Sequence, residues 1–255
     1  MSQLDAHIAA FQPISLNEMD AVALMNRIDT KYLVPRSRVA EMLDRLTNDY
    51  RALTITDKRL FQYRTIYFDT SDKRMLHEHL RGKLNREKIR TREYVGTDTR
   101  FLEVKFKTNK GRTIKKRVKK AGEMNAINLE ETTFLEGQSA FKANTLTPVI
   151  TVSFKRVTLV SNELTERITL DFGLTFQSED NEKAVEDLVI VEMKRDSQHA
   201  NDSVAAQVLK DLSAHPSSLS KYCIGMILLN ETGKYNRYKP KLLKLNKLST
   251  HGDIW

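Results

Sequence analysis

Between residues 81 and 120 the chain sets 16 Lys and Arg against four acids, Glu87, Glu93, Asp98 and Glu103, a local net charge of +12. Much of that stretch is also rich in β-branched and aromatic residues, the composition of strands. A sheet built from it must turn the charge to solvent or gather it around an anion. Elsewhere the chain carries 26 basic and 29 acidic residues, so the overall +9 belongs to one region. In a strand, residues i, i+2 and i+4 share a face. Lys88, Arg90, Arg92 and Tyr94 therefore align against Ile89 and Thr91. Glu103, Lys105 and Lys107 share a face, as do Thr113, Lys115 and Arg117 against Ile114 and Lys116. Further on, Phe154 aligns with Arg156, and Arg167, Thr169 and Asp171 align against Ile168 and Leu170. Ile190, Glu192 and Lys194 align against Val189, Val191 and Met193. A solvated face mixes signs, because like charges across strands repel. Parity leans towards an anion-binding face and leaves a solvated one open. If strands of this number close into a barrel, which removes their edges, the cations point inward and need a polyanion or water to fill the space.

The strand-like segments are Tyr63–Phe68, Glu87–Val95, Phe101–Phe106, Arg112–Val118, Val149–Leu159, Arg167–Phe172 and Leu188–Lys194. Helices are expected after Ser15, where Glu18 completes a capping box and Leu16, Met19, Val22 and Ala23 follow at helical spacing. Others are expected from about Pro35, with Val39, Met42, Leu43 and Leu46 on one face, and over Ser71–Leu80, ending at Gly82. A late helix carries Val204, Val208, Leu209 and Leu212, and another follows Ser217. The fold class is α+β, dominated by antiparallel strands. With no repeat or linker visible, residues 1–255 read as one domain, in which residues 234–255 form a basic, solvated C-terminal tail. Met1 to Ala10 lacks the basic and apolar regions of a signal peptide, and Tyr222–Leu229 is too short to span a bilayer. A cytoplasmic protein is expected. The lone Cys223 excludes an intramolecular disulfide and a thiolate-rich zinc site. His77 and His79 do not share a helix face and suggest no metal. Only Tyr94, Phe101 and Phe106 interrupt the basic stretch with rings, so phosphates fit better than stacked bases, and nucleic acid is not expected.

Six short motifs together resemble one family: Arg27-Ile28-Asp29-Thr30-Lys31-Tyr32, Tyr67-Phe68-Asp69, Lys88-Ile89-Arg90-Thr91-Arg92, Leu102-Glu103-Val104-Lys105, Val191-Glu192-Met193-Lys194 and Ser220-Lys221-Tyr222. In this order they are similar to the VTC domain of the triphosphate tunnel metalloenzymes, relatives of the CYTH proteins. The resemblance implies an eight-stranded antiparallel β-barrel tunnel with flanking helices, lined by cations that hold a phosphate chain. Carried over, the phosphate-binding residues are Lys31, Arg90, Arg92, Lys105, Lys115, Arg156, Arg167, Ser220 and Lys221. Lys88 and Arg117 join them by shared strand faces. Of these, Lys31, Arg90, Arg92, Lys105, Arg167 and Lys221 are the expected catalytic cations. Glu192 matches the family's metal-binding glutamate for Mn²⁺ or Mg²⁺. Parity with Lys105 adds Glu103, either as a second metal carboxylate or as a structural partner for a lysine.

The implied activity is transfer of the terminal phosphoryl group of ATP or another nucleoside triphosphate to a polyphosphate chain. Hydrolysis of tripolyphosphate or nucleoside triphosphates on the same fold, and non-catalytic binding of polyphosphate, tripolyphosphate or pyrophosphate, are the alternatives. Phe154 stands where the polymerase pattern has tyrosine, and Ser218 where it has lysine. Both departures leave the tunnel intact and bear on polymerase against hydrolase. The phosphate-sensing and membrane domains carried by eukaryotic members of this family are not expected in this chain, which leaves a separate membrane partner open. Lys234, Arg237, Lys239, Lys241, Lys244 and Lys247 near the C-terminus could also touch an anionic membrane or a polyphosphate end.

Overall fold

The strand-like segments pair into one sheet in the computed structural model, which describes residues 3–20, 27–196, 203–233 and 235–249. Its strands are β1 Gln12–Ile14, β2 Arg27–Pro35, β3 Tyr50–Leu53, β4 Phe61–Thr70, β5 Arg86–Tyr94, β6 Arg100–Lys107 and β7 Thr113–Lys119. They continue with β8 Leu146–Ser161, β9 Glu166–Gln177, β10 Glu182–Val185 and β11 Leu188–Asp196. Eight of them form an antiparallel path, β2-β11-β9-β8-β4-β5-β6-β7. β3 and β10 extend it on β8 and β9, and β1 runs parallel to β3.

The helices are α1 Gln3–Ala9, α2 Leu16–Asp20, α3 Val39–Leu46, α4 Arg74–Arg81, α5 Leu129–Gln138, α6 Val204–Asp211, α7 Lys221–Leu228 and α8 Lys239–Leu248. Ser15 and Glu18 cap α2 reciprocally, the Ser15 amide donating to Glu18 at 2.9 Å and the Glu18 amide to Ser15 Oγ at 3.3 Å; Val22 and Ala23 lie outside the described residues. In α3 the four expected apolar residues are all buried. α4 ends on Gly82 at φ +71°, a conformation that favours glycine. In α6 the buried stripe is Ala205, Val208 and Leu209, while Val204, expected on it, is 39% exposed at the helix's first turn. α5 has no clean apolar period; the reciprocal bonds of Asn128 and Glu131 mark its start. The stretch read as a solvated tail folds over Lys239–Leu248 into α8, with Leu242 and Leu245 buried among the core residues.

Strand alternation sorts the sheet into two faces. On the outer face, Tyr32, Val34, Val157, Leu159, Ile168, Leu170, Val189 and Val191 join the apolar sides of α1, α3 and α6 in one core. Ile66, Ile89, Leu102 and Val104 pack with Met75 of α4 and Leu135 of α5 in another. On the inner face, Leu33, Tyr67, Ile150, Phe176 and Ile190 pack around α7 and the apolar side of α8. α7 is thus an apolar plug inside the curved sheet, buried from Tyr222 to Leu228.

The hydrogen-bonded path stays open between β2 and β7. The physical reason lies on the free edge of β2. Tyr32 bridges to Pro216, and the Ser217 amide donates to the Lys31 carbonyl at 2.7 Å. The segment leading into α7 takes the bonds that a closing strand would have taken. Among the described residues no helix is long and apolar enough to cross a membrane.

Candidate functional site: a basic chamber inside the sheet

Seven strands and one helix end deliver the charged residues to the inner face, and β4 adds Tyr63, Thr65 and Tyr67. Along β5, Glu87, Ile89, Thr91 and Glu93 are buried outward, while Lys88, Arg90 and Arg92 alternate inward and remain half-buried. Register places Lys88 beside Lys105 and Lys105 beside Lys115 in one row. Arg90, Glu103 and Arg117 form the next row, with Tyr67 beyond Arg90. Across the chamber, Arg156 pairs in register with Asp171, and Glu192 lies between Thr169 and Lys31. The α7 N-terminus adds Ser220 and Lys221. The Ser220 hydroxyl accepts from the Cys223 amide, which sets the helix start.

Three carboxylates order the cations. Glu103, 1% exposed, accepts from Arg90 at 2.7 Å and pairs with Lys115 at 3.3 Å. Asp171, also 1% exposed, accepts both arms of Arg156 at 2.5 and 2.8 Å and pairs with Lys221. Glu192 pairs with Lys31 at 3.1 Å. Lys88 donates to Ser220 Oγ at 2.7 Å, and Arg90 to the Tyr67 hydroxyl at 3.2 Å. Rings accommodate the remaining positive charge. Arg92 lies over Tyr63 at 5.7 Å, Arg156 over Tyr63 at 5.1 Å, and Lys221 over Phe154 at 4.5 Å.

Eight cations therefore meet three carboxylates: Lys31, Lys88, Arg90, Arg92, Lys105, Lys115, Arg156 and Lys221 against Glu103, Asp171 and Glu192. The surplus shows in their proton affinities. Burial opposes ionisation of Glu103, yet Arg90, Arg92 and Lys115 outweigh it and hold the carboxyl well below its usual range. For Glu192 burial is outweighed by Lys194, Lys31, Arg156 and Lys105. Asp171 is held down to about 2, burial being overcome by Arg156 and Lys221. Burial pushes Lys88 and Lys221 down. Lys105 falls to about 7 through burial and then the repulsion of Arg90, Lys31 and Lys88. That Lys105 on β6 feels Lys31 and Glu192 on β2 and β11 means the two ends of the open sheet face each other across the chamber.

Two expected cations stand apart from this group. Arg167 is half-buried on the same face, one row beyond Glu192 and in register with Lys194. Arg117 is exposed and lies over the Phe101 ring at 4.3 Å. Sequence reasoning placed Asp171 on the basic face without a role; its signal was being the lone acid among Arg167, Thr169 and Asp171. Tyr63 and Thr65 were missed because nothing in their own strand marks the inward face. His79, expected at the helix surface, is half-buried, with its ring on the Glu87 carbonyl and on Arg86 Nε, both at 2.9 Å.

Two of the quoted motifs meet outside the chamber. Asp69 accepts from the amides of Met75 and Leu76 at 2.9 and 2.8 Å, at the start of α4. It also accepts from the Tyr222 hydroxyl at 2.5 Å. Tyr67-Phe68-Asp69 and Ser220-Lys221-Tyr222 are thus one device that fixes where α7 enters.

Among the described residues no three His, Cys, Asp or Glu side chains cluster as a metal site. Glu192 offers one carboxylate on the chamber wall, beside Lys31. A Mg²⁺-like cation is commonly bound by one or two carboxylates with phosphate oxygens and water supplying the rest, so this donor set fits a metal that arrives with a phosphate ligand.

The family model for the VTC domain matches residues 26–230. The chain belongs to the VTC-domain family. Its sheet and chamber are the triphosphate-tunnel fold, and one solved structure agrees on the fold. A putative adenylyl cyclase from Hippeastrum, HpAC1, described as having a dominant triphosphatase activity, is 14% identical with a TM-score of 0.50. The match covers 79% of this chain and 95% of that one. The PH1819 protein from Pyrococcus horikoshii OT3 is 11% identical with a TM-score of 0.45, covering 80% of this chain and 98% of that one. No curated protein matches the sequence.

Proposed function

We propose that this VTC-family chain binds a linear triphosphate or polyphosphate in its basic chamber and catalyses metal-dependent phosphoryl transfer. The leading reaction is polyphosphate synthesis from a nucleoside triphosphate such as ATP. The observation that carries this reading is the surplus of cations in the chamber, eight against three carboxylates, with all but Lys115 at least half-buried. Unbalanced charge inside a protein is costly unless a counter-charge arrives. A row of phosphates supplies that charge along a line, and Arg forks with Lys point charges suit its oxygens.

Phosphoryl transfer asks for positioning and neutralisation more than for covalent help from the protein. The terminal P–O bond of the donor breaks as a new P–O bond forms to the end oxygen of the chain, and the nucleoside diphosphate leaves. Lys88, Arg90, Arg92, Lys105, Arg156 and Lys221 would hold the non-bridging oxygens, and Lys31 would sit beside the metal-side carboxylate. Arg167 and Arg117 would contact the chain towards the chamber's margins. Glu192 would hold a Mn²⁺ or Mg²⁺ together with phosphate oxygens, and the metal would offset charge on the reacting group. Glu103, with both Arg90 and Lys115 on it, reads better as the counter-ion that orders the basic rows than as a second metal ligand.

A second reading, hydrolysis, is favoured by one position. Phe154 offers no hydroxyl beside Lys221, and the structurally similar HpAC1 is described as a triphosphatase. One experiment separates the readings. Purified protein with Mn²⁺ and ATP is expected to lengthen polyphosphate on a gel. Free phosphate without chain growth makes it a hydrolase, and neither product makes it a binder. Glu192→Gln is expected to abolish metal-dependent turnover while phosphate affinity survives; full activity in that variant removes Glu192 from the reaction.

A further inference from the structure

One end of the chamber opens into a cavity of about 900 Å³ whose walls hold eight Lys and Arg and a single carboxylate, Asp29. Lys31, Lys88 and Lys105 belong to the chamber itself. The other five, Arg86, Lys107, Arg112, Arg237 and Lys241, lie outside it, and Arg237 and Lys241 fall beyond residue 230, where the family match stops.

These outer cations come from three places in the sequence, and the fold holds Arg86, Arg237 and Lys241 in place. Arg86 donates through Nε to His79 Nδ1 at 2.9 Å and through its terminal nitrogen to the Lys83 carbonyl at 2.6 Å. Burial and nearby cations hold the His79 ring neutral, with a pKa of about 2. With its other nitrogen on the Glu87 carbonyl, it is fixed in the tautomer that accepts from Arg86. Arg237 donates to the Arg81 carbonyl at the end of α4, against Gly82, where a Cβ would meet its guanidinium at 2.6 Å. Lys241 lies over the buried Tyr238 ring at 4.2 Å. Burial lowers its pKa, and the repulsion of Lys88 and Arg86 lowers it further, so mouth and chamber form one positive field. Lys107 and Arg112 flank the β6–β7 turn and are exposed; neither makes an ion pair among the described residues.

We propose that this mouth is an outer subsite for a linear polyphosphate. It would take the phosphates that run on beyond those held in the chamber, with α8 and the turn before it as one wall. The inference rests on the phosphate-binding reading above and adds a site for chain length. The lining argues against the nucleoside end of a nucleotide: Leu80, Pro216, Leu219 and Tyr238 are its few apolar residues, and Lys241 already covers the Tyr238 ring. Charge of one sign over an open wall suits a repeating anion.

The test compares tripolyphosphate, ATP and long-chain polyphosphate binding to the full chain by titration calorimetry. One variant is Lys107→Ala with Arg112→Ala, both exposed and free of ion pairs. The second is Lys241→Met, which keeps the stem over Tyr238. The double variant is expected to weaken long-chain polyphosphate about tenfold and Lys241→Met about threefold to fivefold, since exposed charge contacts contribute roughly 1 kcal/mol or less each and tenfold is about 1.4 kcal/mol. Tripolyphosphate and ATP should change less than about twofold, the size expected of contacts they do not make. Equal losses on all three ligands, a loss confined to ATP, or no loss on the long chain each overturn the outer subsite. A wild-type chain that binds none of the three overturns the functional reading beneath it.

Discussion

Asp171 is where the chamber's charge balance can be tested most directly at the scale of one residue. Its carboxylate lies between Arg156 and Lys221 and is 1% exposed. Asp171→Asn keeps the shape and leaves both cations without a counter-ion. Breaking a buried pair from one side costs about 3 kcal/mol or more, to be read from urea unfolding without ligand. Added tripolyphosphate should narrow the gap from wild type, because phosphate supplies the missing negative charge. A variant as stable as wild type without ligand removes Asp171 from that role. The acid limb follows from the same pair. The folded-state pKa of about 2 lies below the ordinary 3.8. The pair therefore stabilises fully above the ordinary value, and that contribution is lost as pH falls from about 4 towards 2, on the order of 2 kcal/mol. The Asn variant should lose correspondingly less stability across that window. Strand parity alone put Asp171 on the basic face, but its pairing with Lys221, fifty residues away, depends on where α7 enters.

α7 is the element that turns a curved sheet into a site. Its apolar residues fill one part of the inner face, and its N-terminus brings Ser220 and Lys221 to the chamber. The close fit has one vulnerable point. A Cβ on Gly225 would meet Phe176 Cδ1 at 2.4 Å and Ile150 Cδ1 at 2.5 Å. Gly225→Ala is expected to destabilise by about 1–3 kcal/mol, as overpacked cores do, and to weaken tripolyphosphate as Lys221 moves. Thermal unfolding and a binding titration check this; unchanged values in both would mean that α7 shifts freely and does not set the site. Element boundaries were legible wherever a period was clear, as in α3, whose four apolar residues lie on one face. They were not legible for α8. Its Leu242 and Leu245 sit among Lys239, Lys241, Lys244 and Lys247, and the basic residues dominate the pattern. The two leucines are buried because the inner core offers them a surface, which a one-dimensional pattern cannot show.

For the whole molecule, the excess positive charge makes folding and ligand binding one problem. Tripolyphosphate should bind the folded chamber and not the open chain. At a hundred times its Kd it would then stabilise by about 2.7 kcal/mol, visible as a rise in Tm. No rise at saturating ligand would sink the chamber as a phosphate site. The sequence by itself determined seven of the eleven strands, the alternation that collects Lys and Arg on one side, and the family these motifs share. Those are local properties: a period of two residues along a chain fixes which side chains travel together, wherever the strand later goes. Only the tertiary structure decided that the face is turned inward, since a solvated sheet would show the same parity. It also decided which acids neutralise which cations. Those partners lie on different strands, and their distances depend on register and curvature. The open edge at β2 was likewise settled by packing. The residues entering α7 reach that edge and take its hydrogen bonds, and Lys241 of α8 with Arg237 of the turn before it then line the mouth of the chamber.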